Sequence, residues 1–307
     1  MYSEYLYPNT LIPAASCVER ARLVTSLRAE RTPEVMNELE EACRQRANDT
    51  GVDVRTSYFA GCLRRGLSPI HELQDLTRLQ PEQIEHVLTG FLSERYADWS
   101  DRRAHGLDFD CSPLNFVLSQ GYKWWLKWRG VPLGKTCWDI SIYQQLIQNL
   151  RPKTLIELGT GLGGSTLFFL DHCRMFGLGT RIITLDVNID DISPEVFKER
   201  AIEFIGGDIK DLAELLPAQR LRDLPHPWLI VEDCHNHVPL IVNHLQPLMA
   251  SGDYLVIEDI GVNSEGSAQI DAALQNVPKG TLMVDTFYTD LFGRNLTCSP
   301  DAIFRKT

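Results

Sequence analysis

The chain has 307 residues, of which 44% are hydrophobic, 23% charged and 9% aromatic, enough for one large or two modest globular cores and unlike a disordered, collagenous or rod-like chain. Thirty Lys and Arg against 41 Asp and Glu give a net charge of −11, a poor match for phosphate backbones or anionic membranes, so a small-molecule partner is expected, with no nucleic acid and no membrane. No run reaches the ~18 apolar residues of a membrane span. The start Met1-Tyr2-Ser3-Glu4 lacks a secretory pattern and the eight cysteines are dispersed with no C-x-x-C pair, so a cytoplasmic location is expected.

Apolar residues at helical spacing predict helices over Cys17 to Ala29, Pro33 to Arg46, Ser57 to Arg65, Pro69 to Leu76 and Gln80 to Arg95. The stretch from Ile70 to Ile84 has a helix, short turn, helix rhythm. Residues 1–100 carry 11 Lys and Arg against 15 Asp and Glu, however, which favours a packing, dimerisation or lid module over a DNA reader and makes a homodimer an expectation. Trp124 to Trp128 read as a lid or a packing element, and a helix follows from Trp138 to Leu150. From Arg151 short apolar runs alternate with helices, the grammar of a parallel sheet covered on both faces. Strands are predicted at Thr154 to Leu158, Arg181 to Asp186, Ile202 to Ile205, Trp228 to Glu232 and Tyr254 to Glu258, then near Thr281 to Phe287 and Asp301 to Arg305. The expected organisation is a helical domain over residues 1–112 and an α/β domain over 113–307, built on a mostly parallel, seven-stranded Rossmann-like sheet.

The first of these strands runs into Glu157-Leu158-Gly159-Thr160-Gly161-Leu162-Gly163-Gly164-Ser165, a strand, glycine turn and helix start. Glycines let the backbone approach a ligand, and the helix terminus offers unpaired N–H groups. Read as G-x-G-x-x-G (159, 161, 164) the turn suits a dinucleotide; read as E-x-G-x-G-x-G (157, 159, 161, 163) it suits S-adenosylmethionine. A carboxylate at Glu157 would repel a pyrophosphate and complement the ammonium of a methionine moiety, which favours the second reading. Asp186 at the next strand end would accept both ribose hydroxyls, and Asp208 after the third would accept from an adenine amine. Glu157, Gly159, Thr160, Gly161, Gly163, Ser165, Asp186 and Asp208 are therefore the candidate cofactor residues. The competing interpretation makes Asp186 and Asp208 ordinary helix caps.

Two further strands end in Glu232-Asp233-Cys234-His235-Asn236-His237 and in Glu258-Asp259. Adjacent parallel strands deliver their carboxyl ends to one crevice, so Asp233, Glu258 and Asp259 are expected to converge, and a hard divalent cation would relieve their repulsion. Such an ion lowers the pKa of a bound hydroxyl. Mg²⁺ is the first expectation, with Mn²⁺ or Fe²⁺ entering if His235 and His237 were ligands. His235, two positions past Asp233, is the candidate general base.

At these residues the chain resembles the cephalosporin hydroxylase and rhamnosyl O-methyltransferase family. The matching pieces are Trp128-Arg129-Gly130-Val131-Pro132 with Lys135, Asp139 and Tyr143-Gln144, then Arg151-Pro152 into Glu157 to Ser165, Asp233-Cys234-His235, Gly252-Asp253-Tyr254 into Glu258-Asp259, and Asp290 to Asn295. The resemblance covers roughly residues 120–307. It implies a class I methyltransferase fold, S-adenosylmethionine as methyl donor, a divalent cation on Asp233, Glu258 and Asp259, His235 as base, and the hydroxyl of a natural product or sugar as acceptor. A bulky or carrier-tethered metabolite such as a polyketide is within that expectation. The alternatives are a nicotinamide-dependent oxidoreductase using the dinucleotide reading of the turn, and a non-catalytic small-molecule binding protein. The absence of G-x-S-x-G speaks against a serine hydrolase.

Overall fold

Five short apolar runs, each closed by turn residues, line up side by side because neither face of such a run can be left in water. The computed structural model describes residues 95–104, 113–121, 126–259 and 264–307; the predicted helices up to position 94, and Trp124 and Trp125, lie outside them. In chain order the strands are β1 (Tyr96–Asp98), β2 (Lys127–Trp128), β3 (Val131–Pro132), β4 (Thr154–Leu158), β5 (Arg181–Asp186), β6 (Ile202–Gly206), β7 (Trp228–Glu232), β8 (Tyr254–Ile257), β9 (Leu282–Asp285) and β10 (Ile303–Lys306). The longer helices are α1 (Cys137–Leu150), α2 (Gly164–Met175), α3 (Val238–Leu245) and α4 (Ser264–Leu274).

The main sheet has the order β1-β9-β10-β8-β7-β4-β5-β6. Strands β8, β7, β4, β5 and β6 run parallel, and β10 enters antiparallel between β8 and β9. Every residue of β4, β7 and β8 is buried, which is why these segments read as unbroken apolar runs rather than alternating ones. One face is covered by a cluster around Ile156, Ile230, Ile241 and Leu245, the other by one around Leu146, Ile147, Leu155 and Phe168. Trp128 belongs to this second layer: its ring meets Phe168 edge-on at 5.2 Å and its Nε1 donates to Asp171 at 2.9 Å, so this tryptophan packs rather than forming a lid.

From β4 the chain proceeds to β5 and β6 on one side, then returns to β7 and β8 on the other. The strand order therefore reverses between β4 and β7, and a crevice opens at their carboxyl ends.

Two expectations change. The sheet has eight strands, not seven, and the unit that contains it starts at Tyr96, not at residue 113. The additional strand, Tyr96–Asp98, pairs antiparallel with β9. Three residues are too short to show a two-residue hydrophobic alternation, and the strand is held at the sheet edge by the helical turn next to it. Arg102, in that turn (Trp99–Arg102), is buried and donates to Asp301 at 2.6 Å and to both oxygens of Asp290 at 2.8 Å. Burial alone would lower the Arg102 pKa, but the two carboxylates raise it above its usual value. Removing one partner of such a buried pair leaves charge without compensation. Arg102→Met should therefore lower unfolding stability by roughly 3–5 kcal/mol, measured by urea denaturation, whereas a loss under about 1 kcal/mol would mean that the latch is incidental.

Candidate active site

The tips of β4, β7 and β8 are in step. Leu158 pairs with Glu232 and Glu232 with Ile257, and the ladder continues past the strand ends as Asp233 N donates to Leu158 O at 2.7 Å and Glu258 N to Glu232 O at 2.9 Å. Gly159, Asp233 and Glu258 are thus neighbours by register. Gly159 has φ +101°, and a Cβ there would lie 2.6 Å from the carbonyl carbon and oxygen of Asp233, so no other residue fits. Gly161 differs: with φ +52° a Cβ would meet nothing within 4 Å, so the turn opens there onto free space. Gly163, at φ +89°, precedes α2 as its N-terminal boundary, packed close to Val196.

Asp186, at the end of β5, reaches this turn. Its Oδ2 accepts from Gly161 N at 2.7 Å and its Oδ1 from Asn188 N at 2.8 Å. Exposed apolar side chains of Leu162, Val187 and Ile189 stand next in sequence to the turn and to Asp186. The opening at Gly161 and the Asp186 carboxylate meet at the tips of β4 and β5, with exposed apolar residues beside them in sequence.

Other predicted cofactor residues are engaged internally. Glu157 is fully buried, with Oε1 accepting from Ser165 Oγ at 2.5 Å and Oε2 from the Thr166 hydroxyl and from Thr184 Oγ1 at 2.7 Å. Burial pushes its carboxyl above the ordinary range, against the pull of these hydroxyls. The expectation that Glu157 meets a ligand ammonium is corrected: its carboxylate ties β4 and β5 to the start of α2, and Ser165 is one of the ties. Thr160 is buried too, its hydroxyl 2.7 Å from that of Thr184. Asp208 caps the short helix Ile209–Asp211 by accepting from Lys210 N at 3.0 Å, and that bond holds its carboxyl below the usual range. For Asp208 the competing interpretation, an ordinary helix cap, is the one observed.

The acid cluster assembles, with a different membership. One donor atom from each of Asp233, His235 and Asp259 lies within 4.8 Å of the other two. His235 Nε2 is 3.5 Å from Asp233 Oδ1 and 3.4 Å from Asp259 Oδ2. His235 and Asp259 both have left-handed backbones, φ 59° and 55°, conformations that non-glycine residues adopt mostly where function or tight packing requires them. Two neighbouring carboxylates are a donor set that suits a divalent cation, and the imidazole lies between them, close enough to serve as a further ligand or as a base. Glu258, predicted as the third carboxylate ligand, faces inward. Its Oε1 accepts from the Tyr143 phenol and its Oε2 from the Lys135 ammonium, which also donates to Asp233 Oδ2 at 2.5 Å. Burial and the adjacent Asp233 push the Glu258 carboxyl up, and Lys135 acts against them. Since both Glu258 oxygens accept, the carboxylate is the form whose oxygens are satisfied. His237, in the left-handed region, bounds α3, and His244 Nε2 bonds Leu216 O at 2.8 Å; neither joins the cluster.

Sequence reasoning gives Lys135 and Tyr143 no role of their own. The available signal is a lysine amid apolar residues directly before Thr136, which caps α1, and an Asp139 and Tyr143 spaced i, i+4 on one buried helical face. Glu232, just ahead of Asp233, could be read from the sequence only as a cap of the segment that follows it. It is fully buried, and its Oε1 accepts from Cys234 N at 3.1 Å and His235 N at 3.0 Å, which shapes the turn that presents His235.

Residues 120–280 match the family described as Rhamnosyl O-methyltransferase/CmcI, slightly more than half of the chain. The chain belongs to the rhamnosyl O-methyltransferase/CmcI family. The "Rhamnosyl O-methyltransferase" of Mycobacterium tuberculosis (strain ATCC 25618 / H37Rv) is 31% identical over 164 residues, 49% of this chain and 66% of that protein, and its counterpart from Mycobacterium leprae (strain TN) is 27% identical over 164 residues, 49% of this chain and 71% of that protein. The match thus spans just under two thirds of the tuberculosis relative. Among solved structures, one named "cmcI-D160 Mg-SAM" superposes with a TM-score of 0.51 at 23% identity, covering 76% of this chain and 99% of that one. Another, "CmcI-N160 apo-structure", gives 0.50 at 22%, with the same coverage. These likenesses establish the class I methyltransferase fold of the rhamnosyl O-methyltransferase/CmcI family member described here.

Burial raises the Glu232 carboxyl to about 7 from an ordinary 4.5, and its Oε2 has no hydrogen-bond partner among the described residues. A carboxyl whose pKa is higher folded than unfolded contributes stability below pH 4.5 that is lost as pH rises to about 7, because only the unfolded chain ionises it freely. Glu232→Gln removes that ionisation. In chelator-treated protein, the stability of the variant relative to the parent should rise by roughly 2–3 kcal/mol between pH 5 and pH 8, read by urea denaturation; a pH-independent difference would contradict the assignment.

Proposed function

We propose that this protein transfers the methyl group of S-adenosylmethionine to a hydroxyl oxygen of a small molecule, with a divalent cation at the acid cluster. The observation that carries the reading is the abutment of Gly159 on the Asp233 backbone, which makes the glycine cradle and the acid cluster two walls of one crevice. The family match supports methyl transfer over a nicotinamide reaction, since the glycine geometry alone is compatible with both.

When bound, S-adenosylmethionine supplies an electrophilic methyl group, and a divalent cation, with Mg²⁺ first and Mn²⁺ or Fe²⁺ as alternatives, supplies charge that favours a deprotonated hydroxyl. The chain's own residues do the rest. The Asp186 carboxylate and the open backbone at Gly161 would hold the donor, and the exposed side chains of Leu162, Val187 and Ile189 would offer it an apolar bed. Asp233 and Asp259 would hold the cation. His235, lodged between those carboxylates, takes the acceptor's proton at Nε2, and fixing acceptor and donor side by side supplies much of the rate. The acceptor is a hydroxylated metabolite, a sugar or polyketide, free or carrier-tethered. The name of the mycobacterial relatives supports a sugar hydroxyl.

The test is mass spectrometry of sugar and polyketide acceptors incubated with the full chain, Mg²⁺ and isotope-labelled methyl donor, where a labelled product is expected. Calorimetric binding of NAD with none of S-adenosylmethionine would reverse the reading. Asp186→Ala should weaken S-adenosylmethionine binding by about tenfold or more, as expected for loss of a charged acceptor to two hydroxyls. His235→Gln should lower kcat by about 10²–10⁴ while Mn²⁺ affinity stays within about threefold. A collapse of cation affinity in that variant would make the imidazole a ligand instead of the base.

A further inference from the structure

Two left-handed residues stand in the turn between β7 and α3. His235 and His237 both have φ 59°, a conformation that residues other than glycine rarely adopt unless their surroundings impose it. Glu232 fixes the first half of this turn by accepting from Cys234 N and His235 N. The second half has no such device of its own. His237, the N-terminal boundary of α3, makes no side-chain cap, and Pro239 has no N–H, so the buried Val238 supplies the first orphan donor of the helix.

The missing partner comes from α4. Gln269 Oε1 accepts from Val238 N at 3.3 Å, and Gln269 Nε2 donates to His235 O at 3.4 Å. A carboxamide carries an acceptor and a donor side by side, which matches one N–H and one C=O of the turn, whereas a carboxylate would set an oxygen against the His235 carbonyl. Ile270 and Ala273, buried in one cluster with Val238, Ile241 and Leu245, seat α4 against α3 and hold Gln269 at the level of the turn.

We propose that Gln269 is a positioning residue: by clamping the His235 carbonyl and the Val238 N–H together it fixes the turn that sets His235 Nε2 between Asp233 Oδ1 and Asp259 Oδ2. The value of that position for removing the acceptor's proton rests on the methyltransfer reading, but the clamp itself does not. Because α4 follows Asp259 in the chain, the segment that carries one of the acids also pins the backbone of the imidazole facing it.

The experiment begins with amide hydrogen exchange and imidazole resonances of the full, chelator-treated chain, which need no turnover. Gln269→Met keeps the side-chain length and removes both bonds. It should speed exchange at Val238 at least about fivefold, the effect of one lost hydrogen bond, and shift the His235 Cε1–H resonance while those of His226 and His244 stay in place. Unchanged exchange at Val238 or an unmoved His235 resonance overturns the proposal. In turnover the variant should lower kcat by about tenfold with KM within about twofold, whereas in a His235→Gln background the same substitution should cost less than about twofold, because the two residues act as a unit. Equal losses in both backgrounds overturn the positioning role, as does a rise in KM at unchanged kcat. Should Gln269→Met fail to fold, Gln269→Glu, which loses the donor to His235 O, takes its place with the same kcat pattern expected. Absence of methyl transfer in a parent whose exchange and resonances behave as expected would count only against the proposed reaction.

Discussion

Everything at the crevice depends on a backbone approach that only glycine permits. Gly159 sits against the peptide carbonyl of Asp233, at a distance where any side chain would collide with main-chain atoms. Because neither partner of this contact is a flexible side chain, the spacing between the glycine turn and the acid-bearing turn is set by the sheet itself. The parallel register of β4, β7 and β8 then carries that spacing on to Glu258 and Asp259. The glycine turn and the acid cluster are thereby held side by side through main-chain contacts.

The same crevice shows how a fold manages a concentration of negative charge. Glu157, Glu232, Asp233, Glu258 and Asp259 stand at or beside neighbouring strand tips, and each is dealt with differently. Glu157 is surrounded by hydroxyl donors and serves as internal cement. Glu232 accepts backbone N–H groups of the turn it precedes, with one oxygen left unpaired among the described residues. Glu258 is neutralised by Lys135, and only Asp233 and Asp259 reach outward with His235. Burial separates the acids engaged inside the fold from those that reach solvent, although all five look alike in a sequence.

That difference explains what could be read in advance. Strands β4, β5, β7 and β8 were legible because central parallel strands demand mostly apolar runs, and the glycine turn because its left-handed backbone angles favour glycine. Strand order pointed to a convergence of Asp233, Glu258 and Asp259, and His235 joins two of them through its closeness to Asp233 in the chain. The inward orientation of Glu258 and Glu157 was not legible, since it is decided by partners far away in the chain: Lys135 lies 123 positions from Glu258, and Thr184 lies 27 from Glu157. The edge strand at Tyr96 was invisible for a related reason, its place being secured by Arg102 against carboxylates near the other end of the chain.

That edge strand bears on how the protein can be dissected. The sheet unit spans Tyr96–Thr307, so a fragment beginning at Pro113, the expected start of the α/β domain, would lose one strand of the sheet and the guanidinium that bonds both Asp290 and Asp301. A deletion meant to excise the N-terminal segment and spare the crevice has to be cut upstream of Tyr96.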